Sequence, residues 1–209
     1  MARHIDPKCK LCRREGVKLY LKGDRCETAK CSIAKRKSLP GGKLSRRGRK
    51  LSSYGIHFRE KQKLKRFYGV FERQFRNYYH KAERKQGNTG ENLLILLERR
   101  LDNAVYHIGY GFSRSHARQV INHGHITVNG RKVDIASFLV KQGDVIRPVD
   151  REVSINMIKT NIDSNQGRTP PSWLVLGDDE LEVRVLQLPN RDEISVNIQE
   201  QLVVELCSK

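Results

Sequence analysis

Ser113-Arg-Ser-His-Ala-Arg-Gln-Val-Ile-Asn-His-Gly124-His-Ile-Thr-Val-Asn129-Gly130-Arg-Lys-Val133 is the stretch on which the fold turns. Ser113 is a good helix N-cap, because its hydroxyl can accept a bond from an orphan backbone N–H. Ala117, Val120 and Ile121 fall at helical spacing and form one stripe for burial. Gly124 follows the last apolar turn, where a left-handed cap favours a residue without a Cβ. The run His125-Ile-Thr-Val128, then Asn129-Gly130, then Arg131-Lys132-Val133 spells a tight hairpin, since both turn residues must reach positive φ. The remaining faces of the helix carry Arg114, His116, Arg118, Gln119 and His123. Arg114 and Arg118 are four residues apart and are expected to project from one side. The product is a rigid helix displaying polar and basic side chains beside a basic hairpin. Nothing in it positions a nucleophile, so it reads as a grip.

Upstream, Asn92-Leu-Leu-Ile-Leu-Leu-Glu-Arg-Arg-Leu-Asp-Asn-Ala-Val-Tyr106 reads as one helix with Leu94, Leu97 and Leu101 on its buried stripe. With these residues the chain resembles the S-four-type RNA-binding domain. The matching positions are Ser113-Arg114, Ala117-Arg118, Ile121, Gly124, Ile126, Val128, Asn129 and Gly130. The resemblance covers nearly the whole chain and extends to the bacterial-type ribosomal small-subunit protein four family. It implies an α+β fold: a helical N-terminal domain with a four-cysteine extension, and an S-four-type domain of helices with a small antiparallel sheet. It also implies a structural, non-enzymatic role in the small ribosomal subunit. The family would bind ribosomal RNA at a multi-helix junction as a primary binder, nucleate assembly of the subunit body, contact small-subunit protein five and influence decoding accuracy and messenger entry.

Charge supports a polyanionic partner independently of any family. The chain has 209 residues and a formal net charge of +18, with 37% apolar and 7% aromatic residues. Such self-repulsion favours binding to a polyanion. Its distribution is uneven. Residues 1–90 hold 27 basic and 7 acidic side chains, residues 91–149 hold 8 and 5, and residues 150–209 hold 6 and 11. The N-terminal part is therefore the main polyanion surface, whereas the acidic C-terminal part suits protein or solvent.

The first residues carry no hydrophobic run that would act as a secretory signal. The longest aliphatic run, Leu93–Leu97, is far short of the ~20 residues of a membrane helix. The expected location is the cytoplasm, in the small ribosomal subunit, or an organelle matrix such as the plastid stroma, with no membrane partner.

Cys9, Cys12, Cys26 and Cys31 form a C-x2-C-x13-C-x4-C array. Four thiolates suit a tetrahedral soft site, either zinc or a four-iron four-sulfur cluster. Lys8, Lys10, Arg13, Arg14, Arg25 and Lys30 surround them and favour the thiolate. The alternatives are free cysteines or two disulfides, which a chain without a secretory signal disfavours. The segment is small and polar, so a metal would supply folding energy. Some members of the resembled family lack these cysteines, which excludes the metal from the family's shared function.

No acidic residue lies between Thr28 and Arg59. Lys35, Arg36, Lys37, Lys43, Arg46, Arg47, Arg49 and Lys50 sit there among Gly41, Gly42, Gly48 and Pro40, a composition for binding RNA phosphates rather than for regular structure. Helices are expected from Phe58 to Tyr68 and from Val70 to Lys85. Lys61, Lys63, Lys65 and Arg66 form a cationic surface on the first, with Lys61 and Lys65 as RNA-binding candidates. Phe71, Phe75, Tyr78, Tyr79 and Ala82 form an apolar stripe on the second.

After the hairpin, Ile135, Phe138, Val140, Val145 and Ile146 read as short strands. Asp150–Ile162 reads as a helix with Val153, Met157, Ile158 and Ile162 inward, and 166–171 as a linker. Trp173–Leu176 and Leu181–Leu188 alternate like strands that extend the sheet. In the tail, Asn197 and Glu200 suggest a capping box opening a short helix with Ile198, Leu202 and Leu206 inward.

The organisation expected is a four-cysteine extension over 1–45, a helical domain over 46–90 that the family resemblance implies is completed by 191–209, and the S-four-type domain with its C-terminal strands over 91–190. The RNA-binding candidates in that domain are Arg114, His116, Arg118, Gln119, His123, Arg131 and Lys132.

An enzyme is disfavoured. No phosphate-binding P-loop or nucleophile–base pair is present, and His123-Gly-His125 is the one close histidine pair. Arg100-Leu101-Asp102 is shared with the catalytic loop of pseudouridine synthases, but here it falls in a helix with Leu101 on the buried stripe. The alternative function is a free RNA-binding regulator or an RNA-modification protein carrying the same domain.

Overall fold

The computed structural model describes residues 4, 6–36, 38–40, 51–165, 169–177, 181–194 and 197–208. Lys37, Lys43, Arg46, Arg47, Arg49, Lys50 and the linker residues Gln166, Gly167 and Arg168 lie outside the described residues. In chain order the elements begin with α1 (Lys8–Glu15), a 3-10 turn (Gly23–Cys26), α2 (Ser32–Lys35), α3 (Ser53–Tyr68) and α4 (Glu72–Glu83). Next come α5 (Thr89–Glu98), α6 (Leu101–Ile108), α7 (Arg114–Asn122), β1 (Ile126–Val128), β2 (Arg131–Lys132) and β3 (Val145–Pro148). Then follow α8 (Glu152–Ser164), β4 (Leu174–Leu176), β5 (Val183–Val185), a 3-10 turn (Arg191–Glu193) and α9 (Glu200–Cys207). Two compact units result: residues 1–93 with 196–209, and residues 94–195.

In the first unit, α3 opens on Ser52, whose hydroxyl accepts the Gly55 N–H at 3.2 Å. It stops at Gly69, which takes φ +63. Leu64, Phe67 and Tyr68 of α3 and Phe75, Tyr78, Tyr79 and Ala82 of α4 are buried. A fully buried side chain of the larger apolar kinds contributes roughly 1.5–3 kcal/mol, so these aromatics form the bulk of a modest core. Phe71 departs from the expected stripe. It is the N-cap of α4 and is 43% exposed, because the helix begins one residue after it.

The tail helix α9 packs against α3, with Val203 fully buried. The expected capping box at Asn197 does not form. The helix starts at Glu200, and the Gln199 N–H donates instead to the Glu60 carboxylate at 3.3 Å. A capping box does occur at Asn190 and Glu193.

Charge pairing is the second feature of this unit. The Glu15 carboxylate at the end of α1 is buried and is held by Arg59 and Arg66 of α3. Lys61 and Lys65 reach Glu72 of α4 at 2.8 and 2.6 Å. Lys63 pairs with Glu60. The cationic surface expected on α3 is thus largely neutralised inside the unit.

In the second unit five antiparallel strands lie in the order β2-β1-β3-β5-β4. Thr127 faces Lys132, Val128 faces Ile146, and Ile146 faces Val183. The two C-terminal strands extend the sheet, as their alternation suggested. One face carries Ile126, Val128, Ile146, Val183 and Val185, which pack with Ala117, Val120 and Ile121 of α7 and with Ile158 of α8. Val153 of α8, expected inward, is 75% exposed, because the helix turns on Ile158 instead. Residues 135–140 form no strand beyond a bridge from Leu139 to Arg100, and Ile135 is exposed.

The helix expected over 92–106 is two helices. It breaks at Arg100, whose ψ of 136° is extended. The break has tertiary causes. The Leu101 N–H donates to the Phe138 carbonyl at 2.8 Å, the Asp102 N–H to Ala136 at 3.1 Å, and the Val140 N–H to Arg99 at 2.9 Å. Asp102, 1% exposed, accepts from Arg100 through both carboxylate oxygens, at 3.0 and 2.6 Å. Arg118 of α7 donates to the same group at 2.9 and 2.5 Å. The backbone of α7 then approaches Gly111 so closely that a Cβ there would lie 2.7 Å from the Ala117 nitrogen.

These charge pairs make stability testable at two places. Removing one partner of a buried, hydrogen-bonded ion pair costs about 3–5 kcal/mol. Asp102→Ala is expected to show that loss in urea unfolding, and a change below about 1 kcal/mol would reject the role. At Glu72, burial pushes the carboxyl up, but hydrogen bonds from Lys61 and Lys65 outweigh it and hold the carboxyl at about 2 rather than 4.5. Between those two pH values the unfolded chain takes up a proton that the folded chain does not, so stability is lost as pH drops through that window. Glu72→Gln is expected to flatten this acid limb, and an unchanged slope would exclude the pairing as its source.

Candidate nucleic-acid interface

The structure builds α7 and its hairpin as the sequence spells them. The Ser113 hydroxyl accepts the His116 N–H at 3.3 Å. Gly124 takes φ +74, and the N–H groups of Gly124 and His125 close back onto Ile121 and Val120 at 2.8 and 3.2 Å. Asn129 and Gly130 take φ +51 and +74, which the hairpin turn requires. The turn is then locked from outside itself. Asn129 donates to Asp144 at 2.9 Å and accepts the Val145 N–H at 2.9 Å, while Asp144 also accepts the Lys141 N–H at 2.7 Å.

The expected binding residues on this unit separate into two groups. Arg114 and Arg118 do share one side of α7, but that side faces α6. Arg114 is 7% exposed, donates to Asn103 at 2.7 Å and lies 4.4 Å over the Tyr106 ring. Asn103 in turn bonds buried Glu98, which His107 also reaches at 3.1 Å. His116 stacks on Phe112 at 5.0 Å, and its Nδ1 accepts the Phe112 N–H. Burial pushes the His116 imidazole below its usual range, and an Nδ1 that accepts the Phe112 N–H leaves the ring proton on Nε2. These three side chains are largely committed within the domain.

Gln119, His123, Arg131 and Lys132 form the outward group, and all four are exposed. Among the described residues neither Arg131 nor Lys132 pairs with a carboxylate. The Lys132 side chain lies against the backbone of Gly124, in space that any Cβ would fill. Glycine thus serves twice here, once for the helix cap and once to seat the lysine stem. His125 sits beside this point, with Nδ1 2.9 Å from the Ser154 hydroxyl and its ring 6.2 Å from that of His123. Burial, then the neighbouring His123, Arg151 and Lys132, push the His125 imidazole down. The end of α7 and the hairpin therefore present a compact cationic edge on a backbone that cannot easily shift.

In the first unit Lys35 and Arg36 are exposed at the end of α2, whereas Lys61 and Lys65 are engaged by Glu72. The four cysteines of the array converge. Cys9, Cys12, Cys26 and Cys31 line one cavity of about 20 Å³, with Leu21 and Ile33 among its walls. None of them forms a disulfide. Burial pushes the Cys12 and Cys26 thiols up and the other thiols add to this, against backbone hydrogen bonds at Leu19 and Lys22. The donor set is that of a soft metal. At the same time, among the described residues no three His, Cys, Asp or Glu side chains stand close enough together to form a ligand cluster as placed.

Sequence reasoning passed over the partners of the inward cations. Glu98, Asp102, Asn103 and Asp144 are buried or nearly so, and each fixes a side chain or turn of the interface. The signal was present for Asp102 and Asn103 of α6, since a short polar side chain amid an apolar helix needs an internal partner.

The family described as Ribosomal protein S4/S9 N-terminal domain matches residues 3–98, and the S4 domain family matches residues 99–146. The chain is 56% identical to small ribosomal subunit protein uS4 of Thermoanaerobacter pseudethanolicus over 209 residues, all of both chains. It is 54% identical to uS4 of Pelotomaculum thermopropionicum and 53% to uS4A of Alkaliphilus oremlandii, again over the full length of each. No helix among the described residues is long and apolar enough to cross a membrane. With both family domains in sequence and full-length identity above half, this chain belongs to the uS4 family of small ribosomal subunit proteins.

Proposed function

We propose that this chain is a structural constituent of the small ribosomal subunit that binds the subunit's RNA early, nucleates assembly of its body and contributes to translational accuracy. Full-length identity to proteins named uS4 is the observation that carries this reading. The rigid edge formed by Gln119 and His123 with the cations Arg131 and Lys132 supports it physically. A-form RNA is recognised mainly through backbone, 2′-hydroxyls and junction shape, which suits fixed cations on unyielding elements. Within this reading Arg114, His116 and Arg118 serve the RNA by holding α7 in place against α6, and the outward group touches the RNA itself. Lys35 and Arg36 add to the grip in the first unit, joined by Lys37, Lys43, Arg46, Arg47, Arg49 and Lys50. Lys61 and Lys65 act by fixing α3 to α4. The acidic C-terminal portion faces protein, with small-subunit protein five as the partner, and messenger RNA passes nearby. The working site is the cytoplasmic ribosome.

Arg131→Ala with Lys132→Ala is expected to weaken binding to small-subunit ribosomal RNA and to lower the salt slope. Each duplex phosphate no longer held removes about 0.9 from the slope of log affinity against log salt. An affinity and slope equal to those of the parent would remove the hairpin from the interface.

The four cysteines are proposed to hold a structural metal, zinc or a four-iron four-sulfur cluster. Their shared cavity and the absence of disulfides support this. A bound soft metal would draw Cys9, Cys12, Cys26 and Cys31 together, displace their protons and contribute folding free energy to a segment with little core. Protein purified anaerobically is expected to carry either one zinc per chain without colour, or iron and sulfide with visible absorbance. Metal-free protein with all five thiols titratable, the array's four and Cys207, and an unchanged fold would refute the site and leave the RNA-binding reading standing.

A further inference from the structure

Two histidines stand on either side of Gly124, where α7 ends and the hairpin begins. We propose that this corner makes the RNA grip proton-dependent: binding of RNA takes up a proton at His125, so affinity rises as pH falls. The proposal rests on the RNA-binding reading above and adds regulation by pH to the same edge.

His125 is half-buried, and three elements bring basic groups to its ring. His123 comes from the end of α7, with its own ring 6.2 Å away. Lys132 comes from β2, its stem lying against Gly124, the residue that separates the two histidines. Arg151 comes from the start of α8. Burial and these three neighbours all act against the imidazolium. Acidic residues do occur close by in sequence: Asp134 on the return limb of the hairpin, and Asp150 and Glu152 on either side of Arg151. None of the three offsets the basic groups at the ring. Among the described residues a proton on His125 therefore meets no counter-charge in the free chain.

Phosphate supplies that charge. An anion within about 4–6 Å of a titrating base favours its protonated form. RNA drawn to Arg131 and Lys132 brings phosphates to the same corner, so the ring is protonated more easily in the complex than in the free chain. The direction of the effect on binding follows by reciprocity, since a ligand that raises proton affinity is itself held more tightly by the protonated form. Above the midpoint of His125 in the complex the gain is absent. It grows as pH falls through that midpoint and is complete below the midpoint of the free chain.

The fold accommodates both states of the ring. His125 Nδ1 lies 2.9 Å from the Ser154 hydroxyl, which is buried in the first turn of α8. A hydroxyl can donate to Nδ1 of the neutral ring and accept from Nδ1 of the charged one. Rotation of one O–H exchanges these roles, and the proton itself comes from solvent. The backbone at the ring is closed on both sides. The His125 N–H donates to the Val120 carbonyl at 3.2 Å, and the His125 carbonyl accepts the Val149 N–H at 2.9 Å. Charge thus changes on an edge whose shape does not. A ring that served only to tie the hairpin to α8 would move no proton when RNA binds.

The test uses the full chain with small-subunit ribosomal RNA. Calorimetry near pH 6, in two buffers of different ionisation enthalpy, counts the protons taken up on binding. Uptake approaching about one proton per complex is expected. Affinity is expected to rise between about pH 7.5 and about pH 5.5, the range in which an imidazole titrates, with a limit of about tenfold per pH unit for one proton. His125→Asn keeps a polar group for Ser154 but has nothing to titrate there. It is expected to bind RNA with less proton uptake and a flatter pH dependence. Equal uptake and equal pH dependence in parent and variant would overturn the proposal.

Exchange of the imidazole C2 hydrogen for deuterium, read by mass spectrometry, follows each histidine of the parent separately and decides the question if the variant does not fold. His125 is expected to titrate at higher pH in the complex than in the free chain. A midpoint that stays in place, or one that moves equally at all seven histidines, would overturn the proposal. Tight binding that is independent of pH would overturn it too while leaving the RNA-binding reading intact. No binding at any pH would overturn both.

Discussion

Asp102 is almost sealed from solvent, yet it faces two guanidinium groups, one from its own helix start and one from the neighbouring helix. Desolvating three charged groups is expensive, and their mutual attraction offsets it only when the geometry is fixed. Here it is fixed by backbone bonds from residues 136–140 to the broken helix, which hold Arg100 extended and point Asp102 at α7. The orientation of α7 depends on this arrangement, and with it the place of the hairpin and the cationic edge. Arg114 over Tyr106 and the Asn103–Glu98–His107 chain reinforce the same interface one turn away.

The first unit solves a similar problem with less burial. Arg59 and Arg66 close on Glu15, and Lys61 and Lys65 close on Glu72. A chain with so large a positive excess cannot leave every cation to its partner. Of its few acidic residues, Glu15 and Glu72 stand where helices must join, and exposed cations collect elsewhere, at the end of α2 and along the hairpin.

Much of this was legible in the residues. Periodicity at Ala117, Val120 and Ile121, the caps at Ser113 and Gly124, and the Asn129-Gly130 turn are local signals, and local structure obeyed them. The added strands at 174–176 and 183–185 were equally plain, since alternation is a property of the strand itself. What failed was long-range. Nothing within residues 92–106 announces a break, because the partners that break the helix lie 34 to 41 residues later. The inward turn of Arg114 and Arg118 was hidden for the same reason: helical spacing gives a shared side but not which side is covered. Val153 and Phe71 erred through helix phase and start, which shift by one residue without altering the pattern.

The first unit is built from two distant parts of the chain, since α9 completes the surface of α3. This has a consequence during synthesis. The most basic stretch is made before the second unit, and α9 follows it only after about a hundred further residues. The second unit is contiguous and can close as soon as its own residues are out. The nascent chain therefore carries a second unit able to close while the α3 face that α9 covers is still bare.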